Sequence, residues 1–301
     1  MLFKSAKVQK LNKFEVSEEE INDKLKAIQY QPAQPTQEGA MGWTSPFGDG
    51  NDMFYLATNG AFLFKLLIEK KSIPASLLKM EVDKVIAERK AENPDYNPDK
   101  DEKNEIKEGL KLKLLPNTQP SFSTVQVYID TQSNYVVIET TSDKSVEVIL
   151  NLLESTFSAA FEFEYIQPVK DVAEEMKTWI EDLDLPVNFS LGEACKLKDP
   201  STKAVIQYKK HDLDDEKIVD YLQKGMEVTD IAMEWKGDIS FSMNPALTVS
   251  SIKFHDTYKE QKDESLSGVD EVNDAVEMDA NFAVTVSAMR DFLPEFIAAF
   301  E

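Results

Sequence analysis

The chain of 301 residues contains one cysteine, Cys195, two histidines, His211 and His255, and two arginines, Arg89 and Arg290. A single thiol excludes an intrachain disulfide framework and a cysteine zinc cluster, since both need two or more. No apolar run reaches the ~18 residues of a membrane span. The start Met1-Leu2-Phe3-Lys4 lacks the basic-then-apolar stretch of a signal peptide. Gly-x-Ser-x-Gly, Gly-x-Gly-x-x-Gly and Gly-x-x-x-x-Gly-Lys-Ser/Thr are all absent. That removes a nucleophile elbow and the glycine-rich loops that cradle phosphates. A soluble, cytoplasmic protein without a nucleotide site is expected.

What is present is apolar mass and negative charge. With 42% hydrophobic and 10% aromatic residues, the chain can build one large core or two ordinary ones. The 33 Lys+Arg against 55 Asp+Glu leave a net charge of −22, which argues against a uniformly basic surface but not against a local basic patch. The charge is uneven. Residues 1–143 hold 18 basic and 22 acidic side chains, and residues 144–301 hold 15 and 33. Within 65–115 twelve bases face eleven acids, so a surface that meets polyanions is sought first in that half. The last 46 residues, with twelve acids and three bases, make a poor phosphate-binding face.

The patterning predicts a strand and then a helix at the start. Ser17-x-x-Glu20 is a capping box, Val16 and Ile21 form a hydrophobic staple, and Ile21, Leu25 and Ile28 follow at helical spacing. Residues 31–53 read as a loop broken by Met41-Gly42-Trp43, and Phe62–Ile68 as a buried strand. Pro74 opens a helix whose stripe is Leu78, Val82 and Val85. Asn93-Pro94 to Pro98 breaks it, and Ile106, Leu110 and Leu114 mark a second helix. The thin apolar face predicts a projecting helical hairpin. Alternation over 123–129 gives a strand, Tyr135–Ile138 another, and Val146 to Phe157 a helix. Ala204–Tyr208, Val228–Trp235, Ile239–Phe241 and Leu247–Phe254 read as strands, and Asp214–Gln223 as a helix stapled by Leu213 and Ile218. Ala280–Val286 reads as a last strand before a closing helix with Met289, Phe292 and Phe296. The fold class is α+β, with mixed, mostly antiparallel sheets and packed helices. Residues 1–73 and 117–170 are expected as a central domain, 74–116 as the hairpin, and 171–301 as a second α+β domain.

Catalytic chemistry finds few residues. Cys195 lies among Leu191, Gly192, Ala194 and Leu197, and reads as a buried structural thiol. The run Asp99-Lys100-Asp101-Glu102-Lys103 holds the letters of a Mg²⁺ nuclease, but contiguous acids at a helix start serve capping and the dipole. Asp49-Gly50-Asn51-Asp52 reads as a turn, because the glutamate of a calcium loop is missing, and Asp212 to Glu216 as a helix start. No cofactor, metal or catalytic residue is assigned. Two basic clusters remain: Lys209-Lys210-His211 between a strand and a helix, and Lys111 with Lys113 before Leu114-Leu115-Pro116.

These residues fall within a series of signposts that resembles the RdgC family of bacterial recombination-associated DNA-binding proteins. In order they are Met1-Leu2-Phe3-Lys4, Met41-Gly42-Trp43 with Pro46 and Gly48, Leu114-Leu115-Pro116, Ser121-Phe122-Ser123 and Ile129-Asp130. Then come Lys209-Lys210-x-Asp212-Leu213, Trp235 with Ile239 and Phe241, Ile252-Lys253-Phe254 and Asp279-Ala280-x-Phe282. The resemblance implies a non-enzymatic homodimer closed into a ring. Its positively lined hole would admit double-stranded DNA without sequence preference and so limit access of the bacterial recombinase. It also implies a cytoplasmic, nucleoid-associated location and no membrane contact. Lys209 and Lys210 are the first candidates for DNA contact, Lys111 and Lys113 the second. The chain departs from the family where arginines usually follow Leu114-Leu115-Pro116; here stand Asn117 to Ser121, with Phe122 the only aromatic. His211 replaces a usual glutamine. Two further readings follow: a diverged relative acting through protein–protein contacts with weak or no DNA binding, and, third, an exonuclease, after an older family label.

Overall fold

The structure, a computed structural model, describes residues 3–48, 50–267 and 273–301. Met1, Leu2 and Asp49, which enter two of the motifs above, lie outside these. The chain divides into two compact units, Met1–Leu25, Ser45–Phe64 and Gln126–Glu301 in the larger, and Lys26–Thr44 and Lys65–Val125 in the smaller. The fold is α+β with two antiparallel sheets.

In the larger unit β1 (Lys7–Phe14) runs between β6 (Tyr135–Ile138) and β7 (Phe161–Glu164), and β6 also pairs with the end of β5 (Pro120–Asp130). The helix α1 (Glu18–Ala27) starts with half of the capping box: the Ser17 amide donates to Glu20 Oε2 at 3.3 Å, while the Ser17 hydroxyl donates to the same oxygen at 2.8 Å and the Glu20 amide donates to the Ser17 carbonyl at 3.0 Å. Strand β3 (Tyr55–Thr58) pairs with the first residues of β4 (Ala61–Lys71), and α4 (Asp143–Phe157) is amphipathic, with Val146, Ile149, Leu150 and Leu153 buried.

The second sheet has the order β12-β11-β10-β8-β9, from β8 (Phe189–Lys198), β9 (Val205–Lys209), β10 (Glu227–Trp235), β11 (Ile239–Met243) and β12 (Val249–Phe254). Helices α5 (Val172–Glu181), α6 (Glu216–Gln223), α7 (Asp256–Leu266) and α8 (Asp274–Ala298) complete the unit. Ile231, Met233 and Trp235 are buried, as are Ile239, Phe241 and Met243. This period-two burial turns one face of the sheet toward α8, where Phe292 meets Phe241 and Trp235 at ring distances of 5.0 and 5.8 Å. Farther along α8, Phe282 meets Tyr128 of β5 at 5.9 Å.

Ala280–Val286 is not a strand but the middle of α8, a helix of 25 residues capped by the Asn273 side chain, which accepts from the amides of Ala275 and Val276. Ala280, Phe282, Val284, Thr285, Val286, Ala288 and Met289 are all buried. A helical stretch buried at most of its positions loses its 3.6-residue apolar period, and its β-branched residues then imitate a strand. Arg290, on the same helix, donates from Nε and Nη2 to both carboxylate oxygens of buried Asp130 at 2.7 Å and from Nη2 to the Asn59 carbonyl at 2.6 Å.

In the smaller unit β2 (Gly39–Thr44) pairs with the rest of β4, and α2 (Ala75–Glu92) and α3 (Lys100–Leu114) form the hairpin. Arg89 pins its turn, donating to the Tyr96 hydroxyl and to Glu102 Oε1, both at 2.9 Å, while Tyr96 donates to the same carboxylate at 2.6 Å. The Met41-Gly42-Trp43 motif has a backbone explanation. The Trp43 amide donates to the Ile28 carbonyl and the Tyr30 amide to the Trp43 carbonyl, at 3.0 and 2.9 Å, drawing the two chains together over Gly42. A Cβ at Gly42 would lie 2.4 Å from the Tyr30 nitrogen. Because the obstacle is backbone, Gly42→Ala is expected to destabilise by ~1–3 kcal/mol. Urea unfolding checks this; an unchanged midpoint contradicts it.

Candidate nucleic-acid interface

Lys209 ends β9, the edge strand of the second sheet, opposite Ala194 of β8. Lys210 then adopts φ 51, a left-handed backbone that stops the ladder. His211 secures the turn. Its amide donates to the Glu193 carbonyl at 3.1 Å, its ring stacks on Tyr208 at 5.3 Å, and its Nε2 lies 2.9 Å from Asp215. Asp215 caps α6 by accepting from the Lys217 amide at 2.8 Å, and this bond with the one from His211 holds its carboxyl below the ordinary range. Lys209 and Lys210 are exposed, and no hydrogen bond or ion pair engages their side chains among the described residues.

The ladder adds two cations that sequence reasoning missed. Lys196 stands opposite Gln207, and Lys198 opposite Val205, which places them on the same face as Lys209. Their signal was legible in the alternation of Lys196 and Lys198 with buried Cys195 and Leu197. On the next strand Lys196 opposes Asp230, whose carboxyl burial holds above its ordinary range, with Lys196 offsetting part of the shift.

The hairpin does not bring Lys111 and Lys113 together. Two residues apart on α3, they point to different faces. Lys113 borders a groove with Arg89, Glu102 and Glu105. Lys111 joins Lys79, Lys103 and Lys107 around a different groove of about 400 Å³, floored by Leu78 and Val82. The spacing 103, 107, 111 is one helical stripe, and only the packing of α2 on α3 adds Lys79 to it. Lys111 itself is half-buried and pairs with Glu108 at 2.9 Å and Glu38 at 3.8 Å. The hydrogen bond to Glu108 raises its pKa.

Both arginines are engaged, Arg89 in an exposed pair with Glu102 and Arg290 with buried Asp130, so the unpaired cations named here are lysines. Catalytic groups do not assemble in the same way. Asp99 caps α3 by accepting from the Glu102 amide at 2.9 Å, and Glu102 is taken up by Arg89 and Tyr96. No cluster of three His, Cys, Asp or Glu suited to a metal occurs among the described residues. Cys195 is buried, and burial raises its pKa to about 11, which leaves it a poor nucleophile at neutral pH. Ser240 Oγ lies 2.5 Å from His255 Nε2, but no carboxylate hydrogen-bonds that ring among the described residues. No helix among them is long and apolar enough to cross a membrane.

Fold and surface together describe an α+β protein whose candidate site is a set of lysine-rich patches, suited to a polyanion. The family model described as "Putative exonuclease, RdgC" matches residues 1–301, and the chain belongs to the RdgC family. It is 29% identical over 304 residues to the recombination-associated protein RdgC of Pseudoalteromonas atlantica, covering all of this chain and 98% of that protein. To the protein of that name from Bordetella parapertussis it is 27% identical over 299 residues, 99% of this chain and 97% of the relative. The relative from Mannheimia succiniciproducens is 29% identical over 268 residues, 88% and 87% of the two chains. The curated relatives are thus named for recombination, and none of these names is an enzyme's.

Proposed function

We propose that this protein binds double-stranded DNA without sequence preference as a ring-like homodimer in the bacterial nucleoid. Occupying the duplex limits the recombinase's access to it, with no chemistry on the DNA. The observation that carries the reading is the exposed Lys209–Lys210 at the end of β9, whose side chains have no partner among the described residues, in a chain whose arginines are both engaged elsewhere. Lysine meets phosphate as a point charge and lacks arginine's bidentate fork, so it contributes affinity and position but little base readout. A two-fold dimer uses each contact twice, and an enclosed cavity with low-dielectric walls focuses the field of a few cations despite a net −22.

The test is duplex DNA binding as a function of salt on protein of measured mass in solution. Neutralising about six phosphates gives a log–log slope near −5. A dimer mass, a shift at low salt and that slope are expected; no shift at low salt would reject the reading. Full-length end-labelled DNA should persist with Mg²⁺ or Mn²⁺, and its shortening would restore the nuclease. The hairpin groove is tested by Lys103→Glu/Lys107→Glu, which spares the paired Lys111. It should weaken binding several-fold, equally for unrelated duplex sequences. Unchanged affinity would remove the hairpin from the interface.

A further inference from the structure

A groove of about 970 Å³ lies in the larger unit over the second sheet, beside the end of β9. Its shape follows from a bulge. Leu191 and Cys195 of β8 oppose Met233 and Ile231 of β10, which leaves Gly192, Glu193 and Ala194 against Ala232 alone. A Cβ on Gly192 would come within 3.0 Å of the Ala232 Cβ, so the floor is narrow and built of small residues. Around it stand four carboxylates from three segments: Glu193 on the bulge, Asp212 and Asp214 in the loop after Lys210, and Glu234 on β10. None is in an ion pair among the described residues, and Lys253 is the only cation in the described lining. Leu183 and Leu185 add an apolar wall, with Leu183 53% exposed in a left-handed backbone.

The chemistry selects the occupant. Net negative charge repels a phosphate backbone. The carboxylates ring the groove without converging into a cation cage, and the volume exceeds what one small cation fills. A peptide segment that carries both positive and apolar side chains satisfies the ring and the wall together.

We infer that this groove docks a basic, leucine-bearing segment of a partner protein. Arginine or lysine reaches Glu193, Asp212, Asp214 and Glu234, and an apolar side chain lies against Leu183 and Leu185. The inference does not depend on the DNA reading, since none of these residues belongs to the lysine patches.

The experiment uses the full chain and a fluorescein-labelled peptide, Gly-Arg-Leu-Lys-Gly-Arg-Leu-Lys-Gly, in an anisotropy titration at physiological salt. Saturable binding is expected, and Glu193→Gln/Asp212→Asn/Asp214→Asn/Glu234→Gln should weaken it at least tenfold. The control Glu18→Gln/Glu19→Gln/Asp263→Asn/Glu264→Gln makes the same change in net charge elsewhere and should stay within twofold. Leu183→Ser should weaken it severalfold, which attraction by bulk charge cannot explain. An equal loss in the control, no saturable binding, or a dimer that dissociates in the groove variant while peptide affinity is unchanged would each overturn the proposal. The last result would assign the groove to a second copy of this chain. Thermal melting checks each variant. If the fourfold variant melts early, Asp212→Asn/Asp214→Asn, confined to the exposed loop, gives the reading with the same criteria.

Discussion

Replacing Lys209 and Lys210 together by glutamate is expected to abolish duplex DNA binding while leaving the fold intact. Both side chains are exposed and unpaired among the described residues, so their reversal removes no packing and no internal bond. Glutamate at 210 meets the same left-handed backbone that lysine already occupies. In a two-fold dimer the double change removes four phosphate contacts and adds four repulsive charges. Each lost contact is worth ~0.9 log unit per decade of salt below the molar reference, so four cost about 10³-fold or more at ~0.1 M. The alanine pair isolates the contact from the repulsion: it should flatten the log–log slope by about 3–4 and weaken all sequences alike. Anisotropy titrations over a salt series check both variants. Unchanged affinity at low salt would take these lysines out of the interface.

The largest expected effect on stability comes from Arg290→Ala. Burial alone would raise the Asp130 carboxyl, but the bonds from Arg290, Ser133 and the Gln132 amide outweigh it and hold the group below its ordinary range. Removing the guanidinium leaves a buried carboxylate without its counter-charge and the Asn59 carbonyl without its donor. Breaking one side of such a pair costs ~3–5 kcal/mol, a drop in melting temperature on the order of 10 °C. The pH dependence separates this from simple loss of packing. In the native protein the depressed Asp130 contributes stability that is present above the unfolded value of ~3.9 and is lost as pH falls through the folded one. In the variant burial dominates and raises Asp130, so its contribution runs the other way, present below ~3.9 and lost as pH rises. The gap in melting temperature between native protein and variant should therefore widen from about pH 4 to pH 7. A gap constant over that range would mean that the charge pairing is immaterial.

The same logic shows why some elements were legible in the chain and others not. Strands such as β10 and β11, with one face buried, print their alternation directly in the sequence. The bulge at Gly192–Ala194 breaks the alternation of β8 and so hides the strand, with Lys196 and Lys198 on it, from a period-two reading. In the middle of α8, burial at most positions from Ala280 to Met289 erased the helical period. The site divides in the same manner. Lys209 and Lys210 are visible because a strand end next to a capped helix is a local event. The grouping of Lys111 with Lys79, and its separation from Lys113, depends on how α2 meets α3.

By itself the sequence determined what composition and short-range geometry govern: the excess of acid, the lack of thiols, the caps and turns, the strands that alternate, and the order of signposts that matches a family. Only the tertiary structure decided which charges are engaged by partners within the chain and which are left without one at the surface. Arg89 and Arg290 read as two more cations until the hairpin turn and the Asp130 pair absorb them. The acidic groove likewise assembles residues from 183 to 253 that no spacing rule connects. A charge acts through distance and solvent access, and both are set by packing between segments remote in sequence.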